Sequence, residues 1–189
     1  MILYINSCVR ADSRTARLAD RLLSGLRDSV SEVRTGELRF PTMDEAFIDF
    51  RDRCVDARDF SDPRFALGRQ FASADTVVIA APFWDLSFPS SLKQYFEQIN
   101  IPRLTFYYDE QGVPRGLCKA KKLYYITTAG GPIFNAEYGF GYIRELAQTF
   151  YGIPETEMIA AEGLDIIGAD VEGILREAEG AVDRLLTGD

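Results

Sequence analysis

The spacing of apolar positions changes several times along this chain, and each change marks an element. ILYI (2–5) is a short unbroken apolar run, the pattern of a strand buried on both faces. Thr15, Leu18, Ala19, Leu22 and Leu26 then recur at helical spacing, which predicts a helix over 14–28. VSEVRTGEL (30–38) alternates weakly, as a strand does. Residues 41–60 are charged and irregular, with Phe47, Ile48 and Phe50 as anchors, and read as a long connection with some helix. PRFALGRQFASA (63–74) is the next helix. DTVVIAAP (75–82) is Val/Ile-rich and stopped by Pro82, the clearest strand in the sequence. Pro89 suits the first turn of a helix whose apolar face is Leu92, Tyr95, Phe96 and Ile99. LTFYYDEQGVPRGL (104–117) reads as a hairpin or extended arm with Gly112 and Pro114 at its turns. KLYYITTA (122–129) is a third strong strand, ending at Gly130-Gly131-Pro132. A helix over 139–151, a strand over 156–161 and a last helix carrying Val171, Ile174, Leu175, Ala178, Val182 and Leu185 complete the chain.

Strands that alternate with helices favour a parallel sheet covered on both faces. The expected fold is a single α/β domain over 1–189: a five-stranded doubly wound sheet, with an irregular insert near 41–60 and an arm near 104–117. In such sheets ligands bind beyond the carboxyl ends of the strands, at the topological switch point; for the order 2-1-3-4-5, flavodoxin holds FMN there, between strands 1 and 3. The loops to compare are therefore 6–15, 82–90 and 127–135.

Composition narrows the chemistry. The chain has 189 residues, 47% hydrophobic and 26% charged, ordinary for a globular protein. No apolar run approaches the roughly 18–20 residues that span a bilayer, and MILYINS lacks the features of a signal peptide, so a cytoplasmic protein with no membrane partner is expected. A net charge of −8 argues against a general nucleic-acid binder. The three cysteines, Cys8, Cys54 and Cys118, have no CxxC spacing, so neither a disulfide framework nor a metal site is expected. Histidine is absent, which removes the usual Ser/His and Cys/His nucleophile pairs and the commonest metal ligand. No side chain is singled out as catalytic; if the protein is an enzyme, something other than histidine carries its chemistry.

Each of the three loops suits a different part of FMN, and each also has a plainer reading. Ser13, Arg14 and Thr15 fall at the start of a helix, where free backbone N–H groups and the dipole favour an anion; Ser7, Arg10 and Arg14 add donors. Asp12 or Ser13 as a simple N-cap is the plainer reading, although a cap needs one such residue. The glycines and terminal GK[ST] of a P-loop are missing, which disfavours a nucleoside triphosphate. PFWDLSF offers backbone polar groups at 83–86 and apolar surface from Phe83, Trp84 and Leu86; Trp84 and Phe88 as ordinary core is the alternative. In TTAGG, Gly130 and Gly131 permit positive φ and close backbone approach, as they also would in a plain turn. A helix terminus contributes at most about 2 kcal/mol, whereas micromolar binding needs about 8 kcal/mol. The loops must therefore act together to retain a cofactor.

Ser7…Ser13-Arg14-Thr15, Ala81-Pro82-Phe83-Trp84-Asp85-Leu86 and Ser91-Leu92-Lys93-Gln94-Tyr95-Phe96 together resemble the FMN-dependent NADH-azoreductase family of the flavodoxin-like quinone reductases. Lys121-Lys122-Leu123 through Gly130-Gly131, Tyr142-Ile143-Arg144, Phe150-Tyr151-Gly152-Ile153 and Ala161-Glu162-Gly163 extend the resemblance over nearly the whole chain. It implies a homodimer with two FMN sites at the interface. It also implies ping-pong transfer of two electrons from NADH or NADPH to quinones or azo compounds. By matching position, Ser7, Ser13, Arg14 and Thr15 would hold phosphate and ribityl, Pro82, Phe83, Trp84, Asp85 and Leu86 would line the ring, and Thr128, Gly130 and Gly131 would approach its other edge. The family's M-Y-N is Phe83-Trp84-Asp85 here, which replaces an amide by a carboxylate. Asp85 either faces the flavin and lowers its potential or faces solvent and offers only its backbone. Tyr107, Tyr108 and Phe134 are candidate pocket walls, and the aromatic arm fits a partner surface. The rival reading is a flavodoxin-like FMN electron carrier or redox sensor without turnover, which the acidic charge also suits.

Overall fold

A computed structural model describes residues 1–188. Its central sheet has the strands β1 (Ile2–Asn6), β2 (Val30–Arg34), β3 (Thr76–Ala80), β6 (Lys122–Thr128) and β7 (Glu155–Ala161) in the order β2-β1-β3-β6-β7. All four neighbouring pairs are parallel. Counted as five successive strands, this is the expected 2-1-3-4-5, with the switch point between β1 and β3. The register is close to flush: Asn6 lies opposite Ala80, Ala80 opposite Ile126, and Thr128 opposite Ala161.

Helices cover both faces because β1 and β3 are apolar at every buried position except Asn6, at the end of β1. On one face α1 (Arg14–Leu26) and α6 (Val171–Thr187) bury Leu18, Ala19, Leu22, Leu175, Ala178 and Val182 against Ile2, Tyr4, Val78 and Ile126. On the other, α3 (Ala66–Ser73), α4 (Ser90–Ile99) and α5 (Phe140–Glu145) bring Phe71, Leu92, Tyr95, Phe96 and Ile143 onto Leu3, Ile5, Val77, Ile79 and Tyr125. Among the described residues no helix is long and apolar enough to cross a membrane.

Three expected elements differ in detail. The weak strand ends at Arg34, where the chain tightens into a 3-10 turn, Thr35–Glu37, with Thr35 buried. Residues 41–60 contain a regular helix, α2 (Glu45–Ala57), capped by the Asp44 carboxylate accepting from the Phe47 N–H at 2.9 Å. No α2 residue is buried, so its sequence carries too weak an apolar stripe to announce a helix. The helix expected over 139–151 is α-helical only to Glu145 and continues as a π-helical turn, Leu146–Tyr151.

The expected arm is an antiparallel hairpin, β4 (Phe106–Tyr108) with β5 (Pro114–Gly116). It sits at the amino-terminal pole of the sheet: just beyond it, the Lys119 and Lys121 amides donate to Ala72 and Asp75, immediately before β3. Gly116 lies so close to the Tyr151–Gly152 peptide that a Cβ there would overlap backbone atoms. Gly116→Ala should therefore cost about 2 kcal/mol through overpacking, seen as a fall in melting temperature of roughly 4–8 °C. An unchanged melt would mean that the hairpin does not hold this approach.

Candidate functional site

Three loops leave the carboxyl ends of β1, β3 and β6, and each is fixed at its root by continuing the ladder. The Ser7 amide donates to Ala80 O at 2.8 Å, Phe83 to Thr128 O at 2.9 Å, and Ala129 to Ala161 O at 2.9 Å. The loops enclose a cleft of about 240 Å³ at the switch point. Ser13, Arg14 and Thr15 line it from the first loop, Pro82, Phe83 and Trp84 from the second, and Thr128 and Gly130 from the third. Eight of the twelve residues expected at the site thus come together in one cleft.

The first loop is built for an anion. Ser13 is the N-cap of α1, its Oγ accepting from the Ala16 N–H at 3.2 Å, so the plain capping role is present. The Arg14 and Thr15 amides, in the first turn, have no helical acceptor and point out of the helix start. Thr15 is buried, and its hydroxyl shares a 2.7 Å hydrogen bond with that of Thr128, tying the helix start to the end of β6. The Arg14 guanidinium reaches across to Asp165 Oδ1 at 3.0 Å and Leu164 O at 3.4 Å. Both side chains of that ion pair are substantially exposed, so it stabilises the fold little. Arg10 also lines the cleft and, among the described residues, has no ion pair. It is the uncommitted cation of the site.

In the second loop, Trp84 to Ser87 form a two-residue turn with reciprocal backbone bonds of 3.1 and 2.8 Å. Its central residues, Asp85 and Leu86, both have positive φ, 50° and 67°, the pattern of a type I′ turn that normally takes Asn-Gly. Their amides have no backbone partner among the described residues. The Ser87 hydroxyl donates to Tyr138 O at 2.5 Å, anchoring the turn to the segment after β6. Trp84 is 41% exposed, so it is not core; Phe88 is half-buried and packs on Phe96 and Tyr142.

Four of the expected residues lie off the cleft surface. Ser7 is buried beneath the first loop, where its Oγ accepts from Thr35 Oγ1 at 2.8 Å; that hydroxyl in turn meets Ser91 Oγ at 2.9 Å. Asp85 and Leu86 stand exposed at the tip of the turn and present backbone. Gly131 is open, with nothing near the place a Cβ would take, whereas a Cβ on Gly130 would strike the Asp165 carboxylate. Gly130 therefore makes the close approach and Gly131 does not.

Sequence reading did not assign Leu164 and Asp165 to the site. They come from the loop after β7, and the only available signal was that β7 lies beside β6, so its end reaches the same crevice. Cys8, at the root of the first loop, is half-buried; burial pushes its thiol above the usual range, while hydrogen bonding to Ser13 and Thr15 pulls the other way. A raised thiol is a weak nucleophile. No group of three or more metal-ligating side chains forms among the described residues. The donor set, with free amides and Arg10 at one end and a flat backbone turn beside Phe83 and Trp84 at the other, suits a phosphorylated planar ring and fits FMN.

Leu86 spends conformational energy on its left-handed backbone, about 1–2 kcal/mol for an L-residue, part of which a glycine regains. Leu86→Gly should raise the urea midpoint by an amount equivalent to about 1 kcal/mol, after allowing for the glycine's freer unfolded chain. An unchanged or lower midpoint would show that the turn is not strained.

A family model described as a flavodoxin-like fold matches residues 1–186. An FMN-dependent NADH:quinone oxidoreductase of Lachnoclostridium phytofermentans is 36% identical, the match covering 94% of this chain and 93% of that protein. A protein of the same name from Clostridium perfringens is 33% identical over 93% of this chain and 92% of its own. An azoreductase from Bacillus anthracis superposes with a TM-score of 0.85 over 100% of this chain and 99% of its own, at 21% identity. An FMN-dependent NADH-azoreductase from the same species, solved in complex with FMN, gives 0.79 over 98% of each chain, at 22% identity. At that identity the structural likeness bears on fold, and it agrees with the sheet order found here. By the family match and the full-length relatives together, the chain belongs to the flavodoxin-like family that includes the FMN-dependent NADH:quinone oxidoreductases.

Proposed function

We propose that the protein is an FMN-dependent NAD(P)H oxidoreductase that reduces quinones or azo compounds by two-electron ping-pong transfer. The observation that carries this reading is the convergence of the β1, β3 and β6 loops on one cleft at the switch point, with an anion-binding helix start at one end and a flat backbone turn at the other. The full-length relatives named as FMN-dependent NADH:quinone oxidoreductases support the same class.

When bound, FMN would supply the hydride chemistry, which accounts for a site without histidine. The chain's own residues bind and orient. The Arg14 and Thr15 amides, the Ser13 and Thr15 hydroxyls and the Arg10 guanidinium would hold the phosphate. The Asp85 and Leu86 amides would donate to the polar edge of the ring. Phe83 and Trp84 would pack on its apolar edge, and Gly130 would let the third loop approach closely. Asp85, at the exposed tip of the turn, acts through its backbone in this reading. No side chain is assigned as general acid; protons come from water.

The reading includes a homodimer, since Leu86, Phe134 and Tyr138, on the segments that follow β3 and β6, are exposed apolar residues that a second copy would cover. It also includes a cytoplasmic location, where NADH and NADPH are at hand.

Two measurements test the proposal. Purified protein titrated with FMN should quench flavin fluorescence at a stoichiometry of one, and Arg10→Gln should weaken that binding by about tenfold, the effect of losing a charge-assisted hydrogen bond. Anaerobic NADH should then bleach the bound flavin, and a quinone should sustain turnover. Bound flavin that NADH does not bleach would turn the reading to an electron carrier; protein that takes up no flavin would remove it.

A further inference from the structure

The edge strand β2 borders a hollow that the flavin reading does not use. In the parallel register Tyr4 lies opposite Glu32 and Asn6 opposite Arg34, so these four side chains share one face of the sheet. On that face α1 covers β1 but not β2: Leu18, Ala19 and Leu22 are buried, whereas Val30, Glu32 and Arg34 are exposed. A hollow of about 320 Å³ remains at the open edge, with Asp20 and Leu23 of α1 and Cys8 of the first loop also in its lining.

Most polar groups there are committed. The Asn6 amide donates to Glu32 Oε1 at 2.9 Å, and its oxygen accepts from the Cys8 N–H at 2.9 Å. Arg34 turns onto the same carboxylate, with Nε 3.1 Å from Oε1. Arg10 lines both this hollow and the flavin cleft, where the phosphate takes it in the reading above.

Two groups are left over. The Asp20 carboxylate has neither an ion pair nor a hydrogen bond among the described residues; partial burial and the charge of Glu32 hold it above the usual carboxylate range, against the pull of Arg34. Tyr4 is only 4% exposed, and its hydroxyl is fully buried without a hydrogen-bond partner. The ionisable side chains that act on that hydroxyl, Cys8, Asp20, Glu32 and Arg34, all line the hollow, which places it facing inward. Burial keeps the phenol protonated. A buried polar atom left unpaired is costly and uncommon in folded proteins.

The free carboxylate can only accept hydrogen bonds, and the phenol oxygen can accept as well. The complementary group is a compact cationic donor, and a primary ammonium offers three N–H groups and no acceptor. No group of three or more metal-ligating side chains forms among the described residues, so the cation is organic. Leu23 and Val30 give it an apolar wall.

We infer that this hollow is a binding site for small aliphatic ammonium compounds, with Asp20 and the Tyr4 hydroxyl taking the cation and Leu23 and Val30 flanking its chain. The site is separate from the flavin cleft and borrows from that reading only the assignment of Arg10.

The test is isothermal titration of FMN-supplemented protein at neutral pH with n-butylammonium and, as its neutral counterpart, n-butanol. The ammonium should saturate and bind at least tenfold more tightly than the alcohol, the effect of a charge-assisted hydrogen bond. Asp20→Asn should abolish that preference. Tyr4→Phe should weaken ammonium binding several-fold without lowering the thermal melt, because it removes an atom that the fold leaves unpartnered. Equal binding of the two compounds, no saturation at millimolar ammonium, or an unchanged preference in Asp20→Asn would each overturn the inference. A lowered melt in Tyr4→Phe would show that the hydroxyl already has a partner, such as an internal water, and would overturn it too. Should Asp20→Asn fail to fold, the parent protein is read through Cys8, which lines the same hollow. Saturating butylammonium should slow its alkylation by N-ethylmaleimide, read by peptide mass, and butanol should not; no slowing overturns the site. Flavin uptake is followed in the same samples by fluorescence quenching, so its failure counts against the flavin reading alone.

Discussion

The parallel ladder that joins β1, β3 and β6 nearly flush at their carboxyl ends is the constraint on which the rest depends. Asn6 opposite Ala80, and Ala80 opposite Ile126, mean that β1 and β3 end at one level while β6 runs two residues further, to Thr128. The bonds Ser7 to Ala80, Ala81 to Ile126 and Phe83 to Thr128 carry the ladder into the loops. A slip of one residue would turn each strand's core-facing side chains to the opposite face. With Leu3, Ile5, Val77, Ile79 and Ile126 fully or almost fully buried, such a slip is costly. Core packing therefore also fixes the cleft: the hydrophobic term that stabilises the sheet aligns the loops that would meet a ligand.

Within that frame, the site combines rigidity with a few uncommitted groups. Thr15–Thr128, Arg14–Asp165 and Ser87–Tyr138 cross from one loop to another and hold the walls in relation. What is left free is a set of amides at Arg14, Thr15, Asp85 and Leu86, together with the Arg10 guanidinium. This division fits the acidic charge of the molecule: affinity for an anion is local, made by backbone dipoles and one cation, and needs no basic surface. The positive φ of Leu86 belongs to the same economy, since the turn keeps a shape that its sequence does not favour.

Most of the sheet was legible in the sequence because its strands are nearly continuous apolar runs bounded by Pro82, by Gly130-Gly131 and by polar residues. The phosphate-type loop was legible because Ser13, Arg14 and Thr15 fall where an apolar strand gives way to helical spacing. Other features had no local signal. Helix α2 buries none of its residues, so its pattern lacked a stripe; its N-cap, Asp44, was the one cue. The distinction between Gly130 and Gly131 depends on Asp165, which lies more than thirty residues further on. The exposure of Asp85 depends on a turn type that the pair Asp-Leu does not advertise.

Hydrogen exchange read by mass spectrometry, with and without FMN, addresses the convergence of the three loops most directly. The account predicts that FMN slows exchange together in the segments 8–15, 83–88 and 128–134, with little change in α2 or in the β4–β5 hairpin. Protection confined to one of those segments, or appearing at the hairpin instead, would contradict it.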